Sequence, residues 1–128
     1  MVVGTLIGYA FDRDDGGRPV VRRTTSMLGT ANEGSAKIEH IQSQVGRPPI
    51  LAVGNSGGDR EMLEWAQASR HGGLGILVDH DDAAREFAYT SAAVTFQEAE
   101  PITTVGARLG WVVVSMKDDW ETIFATDA

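Results

Sequence analysis

The chain has 128 residues, enough for one domain that buries roughly two-thirds of the surface its unfolded form exposes. Eleven basic against eighteen acidic side chains give a net charge of −7, with no basic cluster beyond VVRRT, so the electrostatic footprint of a nucleic-acid partner is missing. The absence of cysteine excludes disulfides and thiolate metal sites and leads to an expected cytoplasmic location, and no apolar run reaches the roughly 18 residues of a membrane span.

The first stretch, MVVGTLIGYAFDRDD, lacks the basic start and small-residue cleavage site of a signal peptide and is expected to enter a strand almost at once. Val2 to Phe11 is rich in β-branched and aromatic residues, RPVVRRTT (18–25) is a second strand-like run, and DRDDGG between them is a dense turn signal. Residues 2–25 are therefore expected to form a β-hairpin. After the loop GTANEGS, Ser35 is placed to cap a helix whose apolar positions are Ile38, Ile41 and Val45, with Gly46 as its stop.

Arg47-Pro48-Pro49 forces an extended entry into ILAV, a run of the kind found in strands buried on both faces. Beyond the turn GNSGGD, residues Met62, Leu63, Trp65 and Ala66 give a helix one apolar face, broken by HGG. LGILV (74–78) predicts a second buried strand, AAREFAY a helix after DHDD, residues 99–109 a further helix ended by Gly110, and WVVVSM (111–116) a third strand. DDWETIF predicts a closing helical turn, and the final ATDA is the one segment whose composition suggests disorder.

From residue 34 onward the strands alternate with helices, which predicts a parallel sheet with flanking helices, an α/β fold. Residues 1–128 make a single domain, with the hairpin in 1–28 and the α/β part in 34–128. In such sheets the ligand crevice lies beyond the carboxyl ends of the strands. Both polar loops, GNSGGD and DHDD, follow such an end and are expected to lie side by side.

Glycines in GNSGGD let the backbone turn sharply, and Asn55 and Asp59 offer oxygen donors of the kind Mg²⁺ prefers. Neither a dinucleotide fingerprint nor a P-loop fits the glycine spacing. The competing structural role is a tight strand-to-helix turn with Asp59 at a helix N-terminus. Lys37 falls in the first turn of its helix, against the helix dipole, where an ammonium reaching a phosphate would account for it, although a solvated surface role is the usual one for a lone lysine. In DHDDAAREFAY, His80 among carboxylates could be a metal ligand or an acid/base. The structural reading, favoured here, has Asp81 or Asp82 at a helix N-cap and Arg85 and Glu86 in local ion pairs. His40 and His71 are expected on the surface, and Trp65, Trp111 and Trp120 in the core or an interface.

Lys37, an apolar strand and then GNSGGDREML together resemble the haloacid dehalogenase (HAD) superfamily of phosphohydrolases, in its phosphoserine-phosphatase-like branch. GILVDHDDAAREFAY is similar to the segment that follows in bacterial members. The resemblance spans about residues 35–124 and implies a Rossmann-like sheet, Mg²⁺ and a small phosphorylated metabolite as substrate. Carried over by position, Lys37 would be the catalytic, phosphate-binding lysine and Ser56 a substrate contact, with Asn55 and Asp59 on the metal side. Such enzymes attack phosphorus with an aspartate to form an aspartyl-phosphate.

This chain departs from that pattern where the nucleophile should be. No Asp-x-Asp-x-Thr/Val stands at the end of an apolar strand; Asp12-Arg13-Asp14 has the letters but lies in the hairpin turn. A second-motif serine or threonine is also not recognisable ahead of Lys37. The expectation is thus the C-terminal half of such a phosphatase, with the nucleophile strand before Met1 and no activity alone. The alternative is a non-catalytic module that dimerises or binds phosphate or metal, since a sheet lacking its central strand exposes an edge and tends to a homo-oligomer. A third reading, an intact enzyme using Asp12 or His80, requires those residues beside Asn55 and Asp59.

Overall fold

The computed structural model describes residues 2–124, so the expectation for ATDA (125–128) lies outside the described residues. It is a mixed α/β fold in which an N-terminal antiparallel hairpin precedes a three-stranded parallel sheet flanked by helices. The hairpin pairs β1 (Leu6–Arg13) with β2 (Pro19–Leu28), longer than the sequence pattern at its carboxyl end. Its turn is closed by Asp14, whose Oδ1 accepts the N–H groups of Gly16 and Arg18 at 2.9 and 3.0 Å. Gly17 follows at φ 75°, a conformation that costs glycine nothing.

Helix α1 (Ser35–Val45) ends as expected on Gly46 in the left-handed region, with its N–H on the Gln42 carbonyl. Its start differs from expectation: Ser35 is the first helical residue and Gly34, at φ 60°, holds the cap position. The reason is a backbone tether, since the Gly34 N–H donates to the Gly58 carbonyl at 2.8 Å. Strand β3 (Leu51–Gly54) leads through a short 3₁₀ turn (Gly57–Asp59) into α2 (Arg60–Gln67). Strand β4 (Leu74–Asp79), α3 (Ile102–Leu109) and β5 (Val112–Ser115) complete the unit. The strand order is β3-β4-β5, all parallel, with Leu51 opposite Leu74, and Ile76 opposite both Val53 and Val112.

Side chains alternate across a strand. Ala52 and Leu77 point to the face covered by α2 and α3, and with Leu63, Ala66, Ile102, Val105 and Trp111 they form the core. Gly75 lies on the same face because a Cβ there would press on Trp111. The Trp111 indole N–H donates to Gln67 Oε1 at 3.1 Å, which satisfies the one polar atom it brings inside. The opposite face is not covered by any described element: Leu51, Val53, Leu74 and Val112 are each about half exposed. ILAV and LGILV are therefore strands buried on one face, not two. Their apolar runs do not distinguish a doubly covered strand from one whose second face lacks a partner.

Two expected helices are absent. Asp82 does accept the N–H groups of Ala84 and Arg85, as an N-cap would, and Glu86 N–H reaches the Asp82 carbonyl at 3.1 Å. One turn later the chain doubles back, because Tyr89 N–H donates to the His80 carbonyl and the Glu86 carboxylate turns to His80. Residues 118–124 likewise form turns and bends rather than a helical turn. Their start is folded by Ser115 and Asp119, which exchange side-chain and backbone bonds, and carbonyls a helix would use are taken by Arg85. Helix α3 begins at Ile102, three residues later than the expected 99.

Candidate functional site

The carboxyl ends of β3 and β4 bring the two polar loops together. Sharp turning after β3 depends on glycine, since a Cβ on Gly54 would overlap the Asp59 side chain and sit 2.7 Å from its Cγ. Asp59 is buried and folds back over the turn, its Oδ2 accepting the N–H groups of Asn55 and Ser56 at 2.9 and 3.2 Å. The Ser56 hydroxyl approaches the same oxygen at 3.4 Å, and Ser56 and Asp59 also make a capping box, each side chain accepting from the other's backbone N–H.

Lys37 reaches this turn because the Gly34–Gly58 backbone bond docks the start of α1 against it. The Lys37 ammonium donates to Asp59 Oδ1, an ion pair largely out of solvent. Burial pushes the Asp59 carboxyl up, but hydrogen bonding and charge from Lys37, with the Asn55 and Ser56 amides, outweigh it and hold the group below its ordinary value. This carboxylate is ionised and fully engaged.

Asn55 joins the two loops. Its side-chain N–H₂ donates to the Tyr89 hydroxyl at 3.0 Å and lies 3.5 Å from His80 Nε2, at the outer limit of a hydrogen bond. His80 Nδ1 is 3.0 Å from Glu86 Oε1, and its ring stacks on Tyr89 with centroids 4.5 Å apart. With Nδ1 on Glu86, the His80 ring presents Nε2 to the Asn55 amide. A polar chain thus runs from Lys37 through Asp59, Asn55 and His80 to Glu86.

His80 and Tyr89 also border a cleft of about 1100 Å³, walled by Asp79, Asp81 and the segment from Ala88 to Thr103. That segment is held over the glycine turn by three contacts: Gly57 N–H donates to the Ser91 carbonyl at 2.8 Å, and Val94 and Thr95 N–H groups donate to Glu33 at 2.7 and 2.8 Å.

The four residues singled out from sequence, Lys37, Asn55, Ser56 and Asp59, therefore lie together, and His80 joins them. Asp12 is engaged elsewhere: its carboxylate pairs with Arg22 across the hairpin at 2.6 Å. Asp82 and Arg85 form the expected local ion pair, while Asp81 accepts from the Ser115 hydroxyl and Lys117 N–H. His40 is half-buried on Asn32 Oδ1 at 2.8 Å rather than free on the surface, and Trp120 is 46% exposed. Sequence reasoning missed Tyr89 and Glu33. Tyr89 sits in the very run AAREFAY expected to be helical, and a correct turn assignment there would have returned it towards His80.

Mg²⁺ would find an incomplete set here. Asp59 has both oxygens occupied, leaving the Asn55 Oδ1 as the uncommitted donor, and no group of three His, Cys, Asp or Glu among the described residues is arranged to hold a metal. Phosphate oxygens and water would have to supply the remaining ligands. No helix among the described residues is long and apolar enough to cross a membrane. A scan for known protein families found no match, and neither did a search among curated proteins.

Proposed function

We propose that the chain carries the lysine and metal side of a HAD-type phosphohydrolase site, built for a small phosphorylated metabolite and inactive by itself. The observation that carries this reading is the Lys37–Asp59 pair beside Asn55, at the carboxyl ends of parallel strands. There the Lys37 ammonium is positioned to compensate phosphoryl charge, and Ser56 adds a hydroxyl at the same turn. Asn55 would face Mg²⁺, with Asp59 behind it orienting both Lys37 and the turn. The metal, when bound, would neutralise charge on the phosphoryl oxygens; binding is weak because an amide replaces a carboxylate. A cytoplasmic setting belongs to the same reading and is supported by the cysteine-free sequence.

Inactivity follows from the missing first motif: no Asp-x-Asp-x-Thr/Val stands at the end of an apolar strand, and where Asp79-His80-Asp81 closes β4, Ala83 stands in place of the threonine or valine, so the covalent step lacks the family's nucleophile motif. The test has two parts. Phosphate release from p-nitrophenyl phosphate with Mg²⁺ is expected at background, and inorganic phosphate with Mg²⁺ should shift the amide resonances of residues 54–59. Lys37→Met, checked for folding by circular dichroism, should abolish those shifts. Shifts that persist in Lys37→Met would overturn the site, and turnover lost in Lys37→Met would overturn the inactivity.

A second reading, a non-catalytic module, draws support from the same saturation of Asp59. In the form that dimerises rather than binding phosphate or metal, it expects the fold to survive with no phosphate response at all. The resonance experiment separates the two.

A further inference from the structure

Two surfaces lack a covering element among the described residues. The first is the outer face of the parallel sheet, where Leu51, Val53, Leu74 and Val112 form a contiguous apolar patch across β3, β4 and β5. The second is the hairpin. Strands β1 and β2 pack extensively on each other and make at most slight contact with the other described strands and helices, so the hairpin is an arm with little support from the body. Its register places Phe11 opposite Val21 and Tyr9 opposite Arg23. Tyr9, Phe11 and Val21 therefore share one face, and each is about two-thirds exposed. A two-stranded hairpin is marginal in water unless a face is buried.

We propose that the two surfaces cover each other between two copies of this chain, the Tyr9–Phe11–Val21 face of each arm lying on the Leu51–Val53–Leu74–Val112 face of the other. A two-fold exchange forms this contact twice, so one modest patch on each surface becomes a paired interface. Charge selects this arrangement over sheet against sheet. Residues 1–28 carry four arginines and three aspartates, a net charge of +1, whereas residues 29–128 carry seven basic and fifteen acidic residues, a net charge of −8. Body against body would bring like charges together; arm against body does not. Within the arm, Arg13, Arg18 and Arg22 are engaged by hairpin partners, while Arg23, beside Tyr9, makes no ion pair among the described residues and is available to the acidic body.

The inference does not depend on the phosphohydrolase reading. Light scattering on the full chain should give a mass twice 13.7 kDa, and Phe11→Asp, on an exposed position that leaves the body untouched, should raise the dissociation constant about tenfold or more. The native chain has no cysteine, so disulfide trapping reads the contact directly. Phe11→Cys mixed with Val53→Cys should form a mixed disulfide in preference to either self-pair. A monomer at all concentrations, leaving the sheet face to a different partner, overturns the proposal. So does a dimer indifferent to Phe11→Asp, or one trapped mainly through Val53→Cys with itself.

Discussion

Lys37 and Asp59, 22 residues apart in sequence, meet as a buried ion pair that ties the first turn of α1 to the turn leaving β3. The pair is asymmetric. Asp59 keeps two backbone N–H partners if Lys37 is lost, whereas Lys37 makes no second salt bridge among the described residues, Glu33 acting on it only as a nearby charge.

That asymmetry sets the order of two substitutions. Lys37→Met removes one charge-assisted bond and should cost about 1–3 kcal/mol in urea denaturation. Asp59→Ala should cost more, about 3–5 kcal/mol, because it strands a partly buried ammonium and frees the Asn55 and Ser56 amides together. Equal costs would mean that the turn is not organised around Asp59.

Stability should also depend on acid through Asp59. Its folded-state pKa is depressed below the ordinary aspartate value of about 3.9, so its contribution is fully present above that value. The contribution is lost as pH falls through the lower, folded-state pKa. A urea series at descending pH should show a decline below about pH 4 that is smaller in Asp59→Asn.

Arg85 fixes the chain after β5. Its guanidinium pairs with Asp82 and donates to the carbonyls of Met116, Lys117, Trp120 and Glu121. Arg85→Lys retains the charge but not the planar fork, and should leave most of these carbonyls without a donor. Limited proteolysis is expected to cut within 116–121 at least several-fold faster in Arg85→Lys than in the native chain, with the βαβ core intact.

Gly54→Ala tests how tightly the turn is packed. The added methyl has no room beside Asp59, and the adjustment should cost about 1–3 kcal/mol. At Gly46 the space is open, but φ of 76° strains any side chain, so Gly46→Ala is expected to cost about 1 kcal/mol for a different reason. Thermal melts of both variants, with Gly46→Asn as a milder control, distinguish overlap from backbone strain.

The α/β order, the strand positions and the meeting of the two polar loops were legible in the sequence because they rest on local signals: apolar runs, Gly46, and the glycine turn. What was not legible depends on distant partners. AAREFAY has helical spacing, yet Arg85 is drawn to carbonyls more than thirty residues away and Glu86 back to His80. Likewise an ILAV run reads the same whether or not a second layer covers it. Asn55, Ser56, Asp59 and Lys37 could be grouped through the family resemblance, but the Tyr89 hydroxyl on Asn55 required knowing that the chain doubles back.

Glu33 has a consequence for the order in which this chain folds. The elements from α1 to β5 close through neighbours in sequence, but the carboxylate of Glu33 reaches Val94 and Thr95, separations of 61 and 62 residues. Loop-closure entropy grows with such separations, so contacts of this kind form after the local units are in place. The segment that roofs the cleft is therefore expected to order late on the route to native structure, and to be among the first parts released when the protein begins to unfold.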